Sequence, residues 1–212
     1  MAPGEILRAL LALAIGLLLG SVLPADLLAR ASGVDIRKVG DGNPGTVNAI
    51  RGLGWAPGLL TAAYDLSVGV AAIEIAYLLG LSSGVAYAAG IASVAGHRFP
   101  VFRGLRGGGQ GMAASAGLLL YGIAIALSRG WLSVAYVAAL VAILLATFAV
   151  TRSDRAGAIV MLPVLVLMLG LAQPDWRFLA FMAAVAGHIW IVQVAVARHW
   201  LGMRAPAPQT RD

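Results

Sequence analysis

Seven stretches of the chain, at about residues 5–29, 55–80, 84–97, 112–128, 131–150, 156–172 and 177–197, are almost unbroken runs of apolar side chains. A helix rises about 1.5 Å per residue and needs roughly 20 apolar residues to cross the hydrocarbon of a bilayer. Inside lipid every backbone N–H and C=O must be paired within its own segment, so such runs can only be helices. The third run is the shortest, and it is rich in Gly and Ala. The remainder of the 212 residues agrees with this reading: 60% are hydrophobic and 11% charged, against about half and about a quarter in a soluble domain. The expected fold class is therefore all-α, a polytopic membrane protein with seven transmembrane helices. A single domain is expected over residues 1–204, followed by a short polar tail at 205–212. Arg8 and the run Ala9–Leu19 imitate a secretory leader, but no small-x-small cleavage site follows before Asp26, so the run is read as an uncleaved first span.

The cations orient these spans. Arg30, Arg37, Lys38, Arg51, Arg98, Arg103, Arg106, Arg152, Arg155, Arg198, Arg204 and Arg211 fall on one side, which makes 12 of the 15 Lys and Arg. Arg8, Arg129 and Arg177 fall on the other. The positive-inside rule makes the first side cytoplasmic, with the N-terminus outside and the C-terminus inside. The net charge of +6 is assigned to topology and to anionic headgroups rather than to nucleic acid. Trp55, Trp131, Trp176 and Trp200 stand at span ends, where amphipathic rings sit at headgroup depth. Gly16 and Gly20 form a G-x-x-x-G pair that permits close helix packing. The absence of cysteine excludes disulfides and thiolate metal sites. His97, His188 and His199 have no metal-ligand spacing, so neither metal nor cofactor is expected.

Two polar loops on the predicted cytoplasmic side carry the chemistry. The first, Asp35 to Arg51, reads DIRKVGDGNPGTVNAIR. Gly40, Gly42 and Gly45 free the backbone to aim amide groups at one point, and Asn43 and Asn48 add side-chain donors. Arg37 and Arg51 can each clamp a phosphate through two nitrogens. Taken alone, this is equally a sharp connecting loop with topological cations. The second loop, Gly96 to Gly111, reads GHRFPVFRGLRGGGQG and feeds a helix N-terminus, whose unpaired N–H groups and positive dipole end favour anions. Arg103 and Arg106 lie just upstream of Gly107, Gly108, Gly109 and Gly111. The segment Phe99–Phe102 is suited to dip into the interface, where an acyl chain arrives. His97 is either a base or a hydrogen-bonding residue.

In chain order, Gly20-Ser21…Pro24, then D-I-R-x-x-G-x-G-N-P-G-x-x-N-x-x-R-x-x-G from Asp35 to Gly54, then G-H-x-F-P-V-F and a glycine cluster from Gly96 to Gly111 resemble the bacterial acyl-phosphate:glycerol-3-phosphate acyltransferases, the PlsY family. The resemblance implies seven spans with the N-terminus outside, and residence in the bacterial cytoplasmic membrane. It implies acyl transfer from acyl phosphate to the 1-hydroxyl of glycerol 3-phosphate, giving lysophosphatidic acid, with membrane lipid as the surrounding partner and no cofactor. By position it makes His97, Arg51, Gln110 and His199 the catalytic set. It makes Arg37, Gly42, Asn43, Gly45, Asn48, Arg103, Arg106, Gly108, Gly109, Gly111 and Arg155 the substrate-binding set. Asp65, inside the second span, matches a family aspartate and is expected to hold arginines of the first loop.

Five positions depart from the family pattern. Asp41 replaces a serine beside the anion site. Val68 and Gln110 replace lysines. Thr151-Arg152-Ser153-Asp154-Arg155 replaces a stretch with paired serines, and Gly202 stands at an asparagine. Two rival readings follow: a diverged homologue that binds a phosphorylated lipid or metabolite without turnover, and a small anion transporter. A transporter would gather its donors near the bilayer midplane. Oligomeric state is left open by the sequence.

Overall fold

The structure is a computed structural model that describes residues 2–152, 154–172 and 175–203, with side chains described for all of these except 154, 155 and 197–203. The tail at 205–212 and Arg204 lie outside the described residues. Helices run in the order α1 (Pro3–Ser21), α2 (Pro24–Ala31), α3 (Thr46–Leu53), α4 (Trp55–Leu78), α5 (Ser83–Arg98), α6 (Met112–Ser128), α7 (Val134–Thr151), α8 (Asp154–Leu171) and α9 (Trp176–Met203). Single 3-10 turns lie at Ile36–Lys38 and Val101–Arg103, and there is no strand among the described residues. Each apolar run contains one long helix. Four helical stretches, Pro3–Ala31, Trp55–Leu78, Val134–Thr151 and Trp176–Val196, are long and apolar enough to cross a membrane. Met112–Ser128 and Ala156–Leu171 are shorter apolar helices, and the Gly/Ala-rich α5 has 16 residues.

The first run departs from expectation. It is not one helix to residue 29, because Pro24 pushes Leu23 into extended backbone (φ −112°, ψ 91°) and then serves as the first residue of α2. The result is a separate amphipathic helix that buries Ala25, Asp26 and Ala29 and leaves Leu27 exposed. The polar stretch that follows is also more ordered than a loop. Ala25, Ala29, Ile36 and Ala49 form a small apolar cluster of their own, which fastens α2, the 3-10 turn and α3 together. Gly54, at φ +94°, turns the chain from α3 directly into α4, a conformation that a side chain would strain.

Gly16 and Gly20 act as the G-x-x-x-G motif implies. A Cβ on either would overlap a backbone carbonyl of α5, that of Ala89 or Ser93 respectively, so α1 and α5 touch through their main chains. The main core lies between α4, α5, α6, α8 and α9, around Ile73, Leu118, Leu165, Phe178 and Phe181. The Tyr87 ring stacks on Phe181 at 4.6 Å between centroids. Trp131 differs from the interfacial reading: its ring packs 4.9 Å from Phe178. Trp55 and Trp176 are 71% and 70% exposed. In α7 only Leu140 is buried, which makes it the peripheral helix.

Contacts divide the bundle into two ends. At one, Arg8 donates to the Leu79 carbonyl (3.4 Å), and the Arg177 side chain lies beside Gly84. At the other, α2, α3, the head of α6 and the end of α5 bring the two polar loops together.

Candidate functional site

The two loops are joined by side-chain hydrogen bonds. Asn43 Oδ1 accepts the backbone N–H of Gln110 (3.1 Å). The Arg37 guanidinium donates to the Gly107 carbonyl. Residues 67 and 70 positions apart therefore meet in one site, as the sequence reading required.

Asp26 holds this end together. It accepts from Arg37 of the first loop and from Arg103 Nη1 of the second (2.7 Å), and it forms an ion pair with Arg30 on its own helix (3.2 Å). Its side chain is 8% exposed, against 25% and 28% for Arg37 and Arg103. Arg37 and Arg103 thus face a carboxylate and line a cleft of about 420 Å³ with Asp26, Arg30, Gly33, Val34 and Asp35. Asp65 does not take this role. It lies on α4, 1% exposed, with Oδ1 3.7 Å from His97 Nδ1. The carboxylate that links Arg37 of the first loop to Arg103 of the second is on α2, and the sequence reading did not single it out.

His97 is 3% exposed, at the end of α5. The glycine cluster closes over it. Gly109 donates its N–H to the His97 carbonyl (3.0 Å), and a Cβ on Gly109 would overlap the Nε2 edge of the ring. A Cβ on Gly108 would collide with the carbonyls of His97 and Arg98. Gly111, at φ +70°, is the N-cap of α6. These glycines are thus first a means of close approach between a loop and a helix end. The Gln110 side chain is half-buried beside them. Ser21 Oγ accepts from Val101 N (3.0 Å) and anchors the Phe99–Phe102 segment, where Phe99 and Phe102 are 54% and 66% exposed.

In the first loop, Asn48 points inward. Its Nδ2 donates to the carbonyls of Ile36 (3.0 Å) and Val39 (2.8 Å), and it is 2% exposed. Both donors serve the loop, so Asn48 shapes the site rather than offering its amide to a ligand. Asn48→Ala strands two loop carbonyls; we expect a loss of about 2 kcal/mol in stability, measured by thermal or denaturant unfolding in detergent. Asp41 is exposed and accepts from Asn43 N (3.1 Å), an Asx turn that places Asn43. The departure from serine there is a change of turn chemistry. Gly42, at φ +72°, follows in the same turn. Gly45 caps α3, and the Thr46 hydroxyl behind it is buried without a hydrogen-bond partner. Arg51 and Arg106 are exposed and form no ion pair among the described residues. Val68 lies in the apolar core at 3% exposed. The side chains of Arg155 and His199 lie outside the described residues.

A model of the family described as glycerol-3-phosphate acyltransferase matches residues 10–204. The chain belongs to the glycerol-3-phosphate acyltransferase family. The enzyme named glycerol-3-phosphate acyltransferase 1 of Deinococcus radiodurans is 49% identical over 113 residues, 53% of this chain and 57% of that protein. A glycerol-3-phosphate acyltransferase of Thermus thermophilus is 44% identical over 104 residues, 49% and 52% of the two chains. The chain thus spans about half the length of the curated relatives it matches. The crystal structure of PlsY, an integral membrane glycerol 3-phosphate acyltransferase, in its glycerol 3-phosphate form aligns over 92% of this chain and 93% of its own, at TM-score 0.70 and 29% identity. A second PlsY structure, in its lysophosphatidic acid form, aligns at TM-score 0.67 and 28% identity.

Proposed function

We propose that this protein is a seven-span acyltransferase of the bacterial cytoplasmic membrane that moves an acyl group from acyl phosphate to the 1-hydroxyl of glycerol 3-phosphate. Family membership supports the reaction class, and the names of the PlsY structures supply the acceptor and the product. The observation that carries the reading is the Asn43–Gln110 bond, which brings two Gly- and Arg-bearing loops together. In this reading residues 1–204 form one domain, the N-terminus is outside, and the Asp26 end of the bundle faces the cytoplasm, since the excess of Lys and Arg belongs to that end.

Both substrates are phosphate anions. Arg51 and Arg106, free of ion pairs among the described residues, supply the charge that Arg37 and Arg103 share with Asp26. The head of α3, with the unpartnered Thr46 hydroxyl, offers further donors. The exposed Phe99 and Phe102 lead the acyl chain in from lipid. The acceptor hydroxyl attacks the acyl carbonyl, the bond from that carbon to the phosphate oxygen breaks, and phosphate departs with the hydroxyl proton. Catalysis is positioning and charge stabilisation by the two loops. His97, walled by Gly109 and backed by Asp65, holds the floor of the pocket.

The test is purified protein supplied with acyl phosphate and glycerol 3-phosphate, assayed for phosphate and lysophosphatidic acid, beside Gln110→Lys and Arg51→Ala. The parent turns over both substrates. Arg51→Ala raises the KM for a phosphate substrate about 10- to 100-fold, the range for one charge-assisted bidentate contact. A silent parent with an active Gln110→Lys would mean a site that has lost turnover. Silence in both would sink the assignment.

A further inference from the structure

Two polar side chains face each other within the apolar part of the bundle, directly behind the glycine cluster. Ser115, the fourth residue of α6, is fully buried, and its Oγ lies 2.8 Å from Nδ1 of His188 on α9. His188 is half-buried. Its Cε1 edge lies against the glycine turn: a Cβ on Gly111 would sit 3.4 Å from that atom. Because Cε1 is bonded to both ring nitrogens, this contact also brings Nε2 next to the turn that opens α6.

The hydrogen bond decides which nitrogen carries the proton. Ser21 and Ser93, on neighbouring helices, turn their hydroxyl protons back onto helix carbonyls. Ser115 has no such carbonyl among the described residues; its one partner is His188. If Nδ1 carried the proton, a fully buried hydroxyl would have no acceptor, which is costly in an apolar interior. If the hydroxyl donates to Nδ1, nothing buried is left over, and the neutral ring is fixed with its proton on Nε2. That N–H has no acceptor among the described residues. His188 thus presents a directed donor beside Gly111 without needing a net charge.

We propose that His188 is a substrate-contact residue, its Nε2–H donating to a phosphate oxygen held at the Gly107–Gly111 turn, and that Ser115 is a positioning residue that sets its tautomer. The inference rests on the proposed acyl transfer for its substrates, but the ligand group it names is phosphate itself.

The test measures KM and kcat separately for glycerol 3-phosphate and for acyl phosphate, with unfolding temperature in detergent as a control, in His188→Ala, Ser115→Ala and Ser115→Thr. The expected result is a rise of about 10-fold in KM for one of the two substrates in His188→Ala, which also identifies whose phosphate is contacted. Ser115→Ala raises the same KM about threefold, as the neutral ring divides between tautomers, and Ser115→Thr, which keeps the hydroxyl, stays within twofold. Unchanged KM values in His188→Ala, or equal effects of Ser115→Ala and Ser115→Thr, would overturn the inference while leaving the acyltransferase reading intact. If His188→Ala does not fold, the serine pair alone decides. If the parent shows no turnover, the reading of function fails, and binding of inorganic phosphate by parent and variants decides instead: weaker binding in His188→Ala upholds the contact, and equal or absent binding ends it.

Discussion

Replacing Asp26 by Ala separates the two loops. The carboxylate is the common acceptor for Arg37 and Arg103, which come from different loops, and its side chain is 8% exposed. Without it, three arginines face one another with no anion between them, and the Nε of Arg103 is already buried without a partner. Removing one member of a fully buried pair costs roughly 3–5 kcal/mol. Because Arg37 and Arg103 are about a quarter exposed, we expect a smaller loss of about 2–3 kcal/mol, read as a lowered unfolding temperature. The effect on function is larger than this loss suggests, because the Arg37–Gly107 contact holds the glycine turn in register. The expected result is a drop of at least 100-fold in kcat/KM for glycerol 3-phosphate. Asp26→Asn, which keeps the shape and one acceptor, retains more of the stability than of the turnover. Full activity in Asp26→Ala would mean that the loops are held elsewhere.

The second large effect is at Gly109. Its φ is not in the left-handed region, so alanine is compatible with the backbone and the substitution tests space alone. The added Cβ would overlap Nε2 of His97. That ring cannot swing clear, since it is 3% exposed and Asp65 stands behind it at 3.7 Å. Either the ring tilts or the glycine turn lifts, and both move the pocket floor by a sizeable fraction of an ångström. Misplacement on that scale costs about 100-fold in rate. Gly109→Ala is therefore expected to cost about 1–3 kcal/mol, read as a lowered unfolding temperature, and to lose about 100-fold in kcat, measured as phosphate release at saturating substrates below that temperature. A fall in unfolding temperature with unchanged kcat would instead make the contact purely structural.

The parts that the sequence could declare were those with a local physical cause. Apolar runs of helical length must be helices in lipid, and each of the seven contains one. The G-x-x-x-G pair marks a close helix crossing whatever its partner. The motif from Asp35 to Gly54 and the glycine cluster at Gly107–Gly111 marked two polar loops whose glycines, asparagines and arginines do not belong in lipid, and these loops do meet. Pro24 also carried a local signal, a helix break, which the apolar run around it hid.

Tertiary structure decided everything that depends on which distant groups face each other. Nothing local distinguishes Asp26, the shared ion-pair partner of three arginines, from a solvated acid on a short helix. Asp65 was matched to arginines by its motif, yet the crossing of α4 with α5 gave it His97. Asn48 was chosen as a ligand donor for its amide, and the fold turned that amide onto its own loop. Helical and turn preferences act over a few residues and can be read in order along the chain. Pairing between charges and hydrogen-bond donors depends on distances through space, and those exist only once the helices have packed.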